Sequence, residues 1–203
     1  MRPDPELDVI PCDAARTLSG LFRIRGQRTP ESTAYIQFDS PSGKWRSYTW
    51  RETSMLVARW KRALAKEEFG SGERVAILLR NSVEWVCFDQ AALSLGLVVV
   101  PLYPSDAPDN IAYILDDSGA RLLLLQTQGR WETMAPLCSG LTQLKKVLTV
   151  QNSSEPKKAS SSNDKVVLES VDDWLAEAGA AGIHEAENDG SVAPDPEALA
   201  TLV

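Results

Sequence analysis

Arg74 to Gln126 reads RVAILLRNSVEWVCFDQAALSLGLVVVPLYPSDAPDNIAYILDDSGARLLLLQ. This stretch decides the fold. Arg74–Leu79 is a short apolar run without polar alternation, as expected of a strand covered on both faces. Asn81 and Glu84 have the spacing of an Asn-x-x-Glu capping box, predicting a helix that runs to about Leu95. Gly96 then stops it, because a left-handed residue costs glycine little. Leu97–Pro101 is a second buried strand. Pro108 suits the first turn of a second helix, and Ser118-Gly119 ends it. Leu122–Leu125 is a third strand. Strand–helix units of this length predict an α/β fold: a doubly wound, mainly parallel sheet with helices on both faces.

Outward from this core, Thr17–Arg28 reads as a helix ended by Pro30. Thr33–Phe38 and Trp45–Thr49 alternate like two strands. They are joined by the Ser, Pro and Gly of residues 39–44, which predicts an N-terminal β-hairpin. Thr49 and Glu52 form a Thr-x-x-Glu capping box for a helix over about Trp50–Glu68. Met55, Leu56, Trp60, Ala63 and Leu64 recur at three and four in that helix, marking one buried stripe. Beyond Gln126, Trp131–Cys138 is a predicted helix and Leu144–Val150 a fourth strand. Residues 151–165 are Ser-rich and polar, as in a surface loop. Val166–Leu168 is a short strand and Val171–Ala178 a short helix. The expected organisation is an extended segment over 1–16, an α/β subdomain over 17–150, a polar acidic region over 151–197, and the start of a strand over 198–203.

The 203 residues are 43% hydrophobic and 24% charged, an ordinary globular composition. The net charge of −7 is uneven. Residues 1–150 carry 18 Lys+Arg against 17 Asp+Glu, and residues 151–203 carry 3 against 11. A nearly neutral body with an acidic tail lacks the concentrated basic surface that nucleic acid requires. Cys12, Cys87 and Cys138 form no Cys-x-x-Cys pair, which argues against a disulfide scaffold or a zinc site. Cys87 lies on an apolar helix face and reads as a small core hydrophobe. The first residues have no apolar signal-type core, and the longest apolar stretch, Leu93–Tyr103, is too short to span a bilayer. These features suit a cytoplasmic protein.

Several chemistries are disfavoured by the motifs. Gly70 and Gly72 precede a strand, whereas a dinucleotide loop lies between strand and helix. They read as a turn. No P-loop, Ser elbow or His-Glu-x-x-His is present. The single histidine, His184, lies in the polar tail, so a His-based triad or metal site is disfavoured. Arg59, Lys61, Arg62 and Lys66 near Trp50 and Trp60 read as a solvated helix face with its Trp in the core. Asp116 and Asp117 point about 100° apart on a helix and read as last-turn polar residues.

The chain resembles the N-terminal part of the AMP-forming acyl-CoA synthetases, in the adenylate-forming superfamily. The resemblance covers residues 17–150. It rests on Arg28-x-Pro30 with Ala34, Tyr48-Thr49-Trp50, Gly72-x-Arg74-Val75-Ala76-Ile77 and Asn81-Ser82-x-Glu84-Trp85. Ala91-x3-Leu95-Gly96, Val100-Pro101-Leu102-Tyr103 and Tyr113-Ile114-Leu115-x2-Ser118-Gly119-Ala120 complete it. The Pro-Leu-Tyr form and the Glu-Trp pair look most like the long-chain fatty-acid branch.

The resemblance implies an enzyme that joins a fatty acid to CoA through an acyl-adenylate, using ATP and Mg²⁺. In that family the strand matching Ala200–Val203 leads into a loop of type Y-T-S-G-T-T-G-x-P-K-G. The resemblance therefore implies that this chain is an incomplete N-terminal portion of the fold. No catalytic, cofactor-binding or metal residue is assigned to it, and alone it is expected to bind no cofactor and to be inactive. Alternatives are a fatty-acyl-AMP ligase acting with a carrier protein, or a non-catalytic module that dimerises or binds a partner. A homodimer and peripheral membrane contact are compatible with the resemblance, though the sequence shows no dedicated anchor. Ligands on such sheets bind beyond the carboxyl ends of the strands. Those ends fall near Arg80-Asn81-Ser82, Tyr103-Pro104-Ser105 and Gln126-Thr127, where plain helix capping is the competing explanation.

Overall fold

The computed structural model describes residues 8–39, 42–151, 166–179 and 194–202. The polar segment over 152–165 and most of the acidic segment over 179–196, including His184, lie outside them. Five strands form one parallel sheet: β3 (Arg74–Leu78), β4 (Val98–Pro101), β5 (Leu122–Thr127), β6 (Lys146–Gln151) and β7 (Val167–Ser170). A separate antiparallel hairpin, β1 (Thr33–Asp39) and β2 (Lys44–Thr49), precedes it.

The sheet order is β4-β3-β5-β6-β7. The chain steps from β3 to β4 through α4 (Val83–Ser94) and returns across β3 to β5 through α5 (Pro108–Ser118). This reversal makes the sheet doubly wound. The period-two geometry of a strand then sorts each run into two cores. Val75, Ile77, Leu122 and Leu124 face α3 (Trp50–Ala65), α4 and α7 (Val171–Ala178). Ala76, Leu78, Leu123 and Leu125 face α5 and α6 (Gln128–Met134). Leu122–Leu125 are all fully buried. At about 1.5–3 kcal/mol per buried aliphatic side chain, such strands dominate the stability of the sheet.

The local signals mostly hold. Thr49 and Glu52 form the predicted reciprocal capping box of α3. Thr17 caps α2 (Leu18–Arg28). Gly96 and Gly119 adopt φ of +71° and +62° where their helices stop.

Four expectations need correction. The cap of α4 is Ser82, whose Oγ accepts from the Trp85 amide at 3.2 Å, and not Asn81. Gln37 Oε1 of the hairpin accepts the Val83 amide at 2.6 Å, so a tertiary contact helps select that start. The helix after β5 spans Gln128–Met134 and not Trp131–Cys138, because Thr127 Oγ1 caps it at the Arg130 amide. Residues 12–15 are not extended. They form one helical turn, α1 (Cys12–Ala15), after which Arg16 takes φ of +60°. In α3 the buried stripe holds Thr53 and Val57, while Met55 and Leu56 are only partly buried.

Trp60 lies in the core, edge-on to Phe88 and to Trp174. Lys66 bonds the Glu177 carbonyl. The basic residues around Trp60 therefore do not form an aromatic binding patch with it. At the other end of the described chain, Thr201 bridges in parallel to Val99. The Val99 amide donates to Ala200, and Leu202 donates to Val99. The outer edge of β4 is thus covered locally.

Candidate functional site at the carboxyl rim of the sheet

The switch in strand order directs attention to the carboxyl ends of β3, β4 and β5. Leu79-Arg80-Asn81 and Pro101–Ser105, with Trp85, line one open cavity of about 660 Å³ there. Two of the three anticipated loops meet in it. Gln126 and Thr127 do not line it, but their helix supports it. The Arg130 guanidinium donates to the carbonyls of Pro104 (3.3 Å) and Asp106 (3.1 Å), tying the loop after β4 to α6.

The side chains at the rim divide by task. Ser82 and Thr127 are committed to capping, which is the role expected if these loops only started helices. Arg80, Asn81 and Ser105 are exposed on the cavity, and Tyr103 is 66% exposed. These groups offer one cation, an amide, a hydroxyl and a phenol to a ligand. They do not offer a general base or a nucleophile with an activating partner. Asp106 sits beside the rim, but its Oδ2 accepts from Asn110. Among the described residues, no cluster of three or more His, Cys, Asp or Glu is placed to hold a metal. The residues that line the rim cavity include no carboxylate, so this donor set does not fit Mg²⁺ by itself.

The remaining groups that invite a chemical reading are structural. Burial pushes the Cys138 thiol up to about 11 and the Cys87 thiol higher still, so neither is an activated nucleophile. Asp116 and Asp117 are exposed at the end of α5. Asp89, which no sequence motif singles out, is pushed up to about 6 by burial, against the Gln90 hydrogen bond. It lies on α4, well along the helix from the rim.

Asp89 supplies a pH prediction. Its folded value lies above its ordinary 3.8, so the fold favours the protonated form. Stability is fully retained below about 4 and falls as the pH rises to about 6. Asp89→Asn is expected to raise stability by about 1–2 kcal/mol at pH 7 and by almost nothing at pH 4. Urea unfolding at the two pH values measures the difference. Equal effects at both would mean that ionised Asp89 is well solvated.

The fold defines the class: a doubly wound α/β sheet whose carboxyl rim opens to a cavity lined by Arg80, Asn81, Tyr103 and Ser105. The model of the AMP-binding enzyme family matches residues 22–203, and the chain belongs to that family. Among curated proteins, it is 31% identical over 109 residues to a long-chain-fatty-acid–CoA ligase, FadD13, of Mycobacterium tuberculosis, covering 54% of this chain and 21% of that protein. It is 35% identical over 92 residues to a 3-hydroxybenzoate–CoA ligase of Aromatoleum, covering 44% and 18%. Among solved structures, the anthranilate CoA ligase AuaEII with anthranoyl-AMP aligns with a TM-score of 0.65 and 21% identity, over 83% of this chain and 29% of that one. The last comparison concerns the fold alone. The chain spans about a fifth of the length of these curated relatives. Among the described residues no helix is long and apolar enough to cross a membrane.

Proposed function

We propose that the chain supplies the N-terminal sheet layer of an AMP-forming long-chain fatty-acid:CoA ligase. Family membership over residues 22–203 carries the reading. The relation to FadD13, with the Glu84-Trp85 and Pro101-Leu102-Tyr103 forms, supports the long-chain substrate. In this reaction a carboxylate oxygen attacks the α-phosphorus of ATP. The bond from that phosphorus to its bridging oxygen breaks, and pyrophosphate leaves. The CoA thiolate then attacks the acyl carbon, and the bond to AMP breaks. Mg²⁺, when bound, neutralises charge on the phosphates.

The residues of this chain serve positioning. Such chemistry needs donors and cations converging on the triphosphate. The rim brings Arg80, Asn81, Tyr103 and Ser105 to one cavity, held by the Arg130 contacts. They can orient a substrate, but no proton transfer is assigned to them. The same reading assigns the protein to the cytoplasm.

The test compares the 203-residue chain with the longest protein whose sequence contains it. Pyrophosphate release is followed with ATP, Mg²⁺, CoA and a fatty acid. The longer protein is expected to turn over long-chain acids, and the 203-residue chain is expected to show no release. Turnover of a hydroxybenzoate but of no fatty acid would replace the substrate with an aryl acid, a reading that the Aromatoleum relative favours. Transfer to a carrier protein but not to CoA would make it an acyl-AMP ligase.

A further inference from the structure

The outer face of the hairpin is apolar and open. Strand pairing sets Phe38 opposite Trp45 and Ile36 opposite Ser47. Cross-strand partners share a face, and Ile36 and Phe38 are two apart along β1, so these four residues lie together. Trp45 is 70%, Ile36 60% and Phe38 47% exposed. The Phe38 and Trp45 rings meet edge-on at 5.4 Å, which makes the patch continuous. The other face turns inward. There Tyr48 is buried, Tyr35 meets Trp50 of α3 at 5.9 Å, and Gln37 accepts the Val83 amide of α4. An antiparallel pair packed on one face ordinarily presents polar residues on the other. Here three of the four outward positions are large and apolar, which marks a contact surface.

Charge is sorted along the hairpin. At its open end Glu31 pairs with Arg51, and Glu52 accepts from the Thr49 amide, so both carboxylates are engaged beside α3. At the turn the Gly43 amide donates to the Asp39 carbonyl at 2.8 Å, and Gly43 takes φ of +65°. Lys44 and Arg46, both exposed, flank Trp45 in β2. The Arg46 guanidinium lies over the Tyr48 ring at 4.5 Å. The two strands thus carry two cations against one carboxylate, Asp39 opposite Lys44.

The size of the patch selects its occupant. A stable protein interface takes about 800 Å² from each partner, drawn from about 20–30 residues. Three side chains, each already partly covered, fall well short of that. A second copy seated on this face alone would not be held. A bilayer surface demands less. Trp and Phe beside a cation at the tip of a hairpin match the headgroup region, where aromatic rings sit at the boundary between hydrocarbon and water. Exposed cations add attraction to an anionic surface, and Lys44 adjoins the ring that would enter first.

We propose that the outer face of the β1–β2 hairpin seats in the headgroup region of an anionic bilayer. Phe38 and Trp45 enter the interface, and Lys44 and Arg46 meet lipid phosphates. The contact is peripheral and reversible, because three side chains bury little area. It does not rest on the proposed ligase activity. Vesicle binding and pyrophosphate release by the longer protein can each fail alone.

The experiment sediments the 203-residue chain, and the longest protein whose sequence contains it, with sucrose-loaded vesicles. The vesicles are phosphatidylcholine alone or mixed equally with phosphatidylglycerol. Both proteins are expected to bind the mixed vesicles, more weakly at high salt and more weakly still on phosphatidylcholine. Trp45→Ser is expected to weaken binding roughly tenfold, and Lys44→Gln roughly fivefold. A second readout leaves the apolar residues intact. In a Cys12→Ser background, an environment-sensitive nitrobenzoxadiazole dye is placed on Ser47→Cys, within the patch. The control carries it on Asp117→Cys, exposed on α5 across the sheet. Vesicles should shift the emission to the blue at position 47 and not at 117. Equal binding to neutral vesicles, full binding by Trp45→Ser, or a dye at 47 that responds no more than at 117 would each overturn the proposal. A lipid-free dimer that Trp45→Ser dissolves would place a second copy on this face instead. Binding by the 203-residue chain but not by the longer protein would mean that the rest of that protein covers it. Either result overturns the proposal as well.

Discussion

Trp60→Ala is expected to cost about 3–5 kcal/mol, the largest single loss in this fold. Trp60 is 3% exposed and is the meeting point of three helices. Its ring stands edge-on to Phe88 of α4 at 6.0 Å and to Trp174 of α7 at 5.6 Å. Truncation removes both aromatic contacts and leaves a cavity that helices anchored to a rigid sheet cannot close. For a chain of this size each kcal/mol shifts the melting temperature by about 2–4 °C, so a fall of about 6–20 °C is expected. Trp60→Phe keeps a ring between the two partners and should lose less than half as much. Thermal unfolding of the three proteins measures this directly. A loss below about 1 kcal/mol for the alanine variant would mean that α3 repacks, and that the helix layer is held by the sheet alone.

The contrast between the two capping motifs shows which parts of the fold the sequence carries by itself. Thr49 and Glu52 satisfy each other within one turn, so the start of α3 is encoded locally. At α4 two cap-forming residues, Asn81 and Ser82, stand side by side. The choice falls to Ser82, where the hairpin's Gln37 also meets the Val83 amide, an interaction 46 residues away in sequence. The strands were legible because burial on both faces leaves an uninterrupted apolar run, as at Leu122–Leu125. The start of α6 was not, because Gly129 hides a helix whose first turn depends on Thr127.

The site divides in the same way. The rim loops follow from strand ends, so Arg80 and Tyr103 could be anticipated. Their convergence in one cavity, without Gln126 and Thr127, depends on the sheet order. A cavity between α2, α3 and α4 takes residues from α1, α2, α3, α4 and the segment near residue 195, and no short motif spans them. Asp89 reads like any polar position in α4, and no local motif marks it for burial.

The second large effect is expected at Lys146. Its Nζ sits between Glu67, just past the end of α3, and Glu169 of β7, and the Trp174 indole also donates to Glu67 at 2.8 Å. The three charged side chains are each less than a fifth exposed, so the network is partly withdrawn from water. Burial alone would lower the Lys146 ammonium, but its bonds to Glu67 and Glu169 outweigh this and raise it above the ordinary 10.5. A raised folded value means that this stabilisation is complete below about 10.5 and is lost as the pH climbs through the folded value. Lys146→Met removes the cation and leaves two carboxylates facing each other with little solvent. Losing one partner of such a network is expected to cost about 2–4 kcal/mol at pH 7. The penalty belongs to the stranded charges and not to the missing methylenes. Adding Glu67→Gln and Glu169→Gln should therefore recover more than half of it, because the new amide at position 67 keeps an oxygen that can accept from the Trp174 indole. Denaturant unfolding of the single and triple variants separates the two causes. If the triple variant is as unstable as Lys146→Met, the ion pairs themselves hold α3, β6, β7 and α7 together, and an uncharged network cannot replace them.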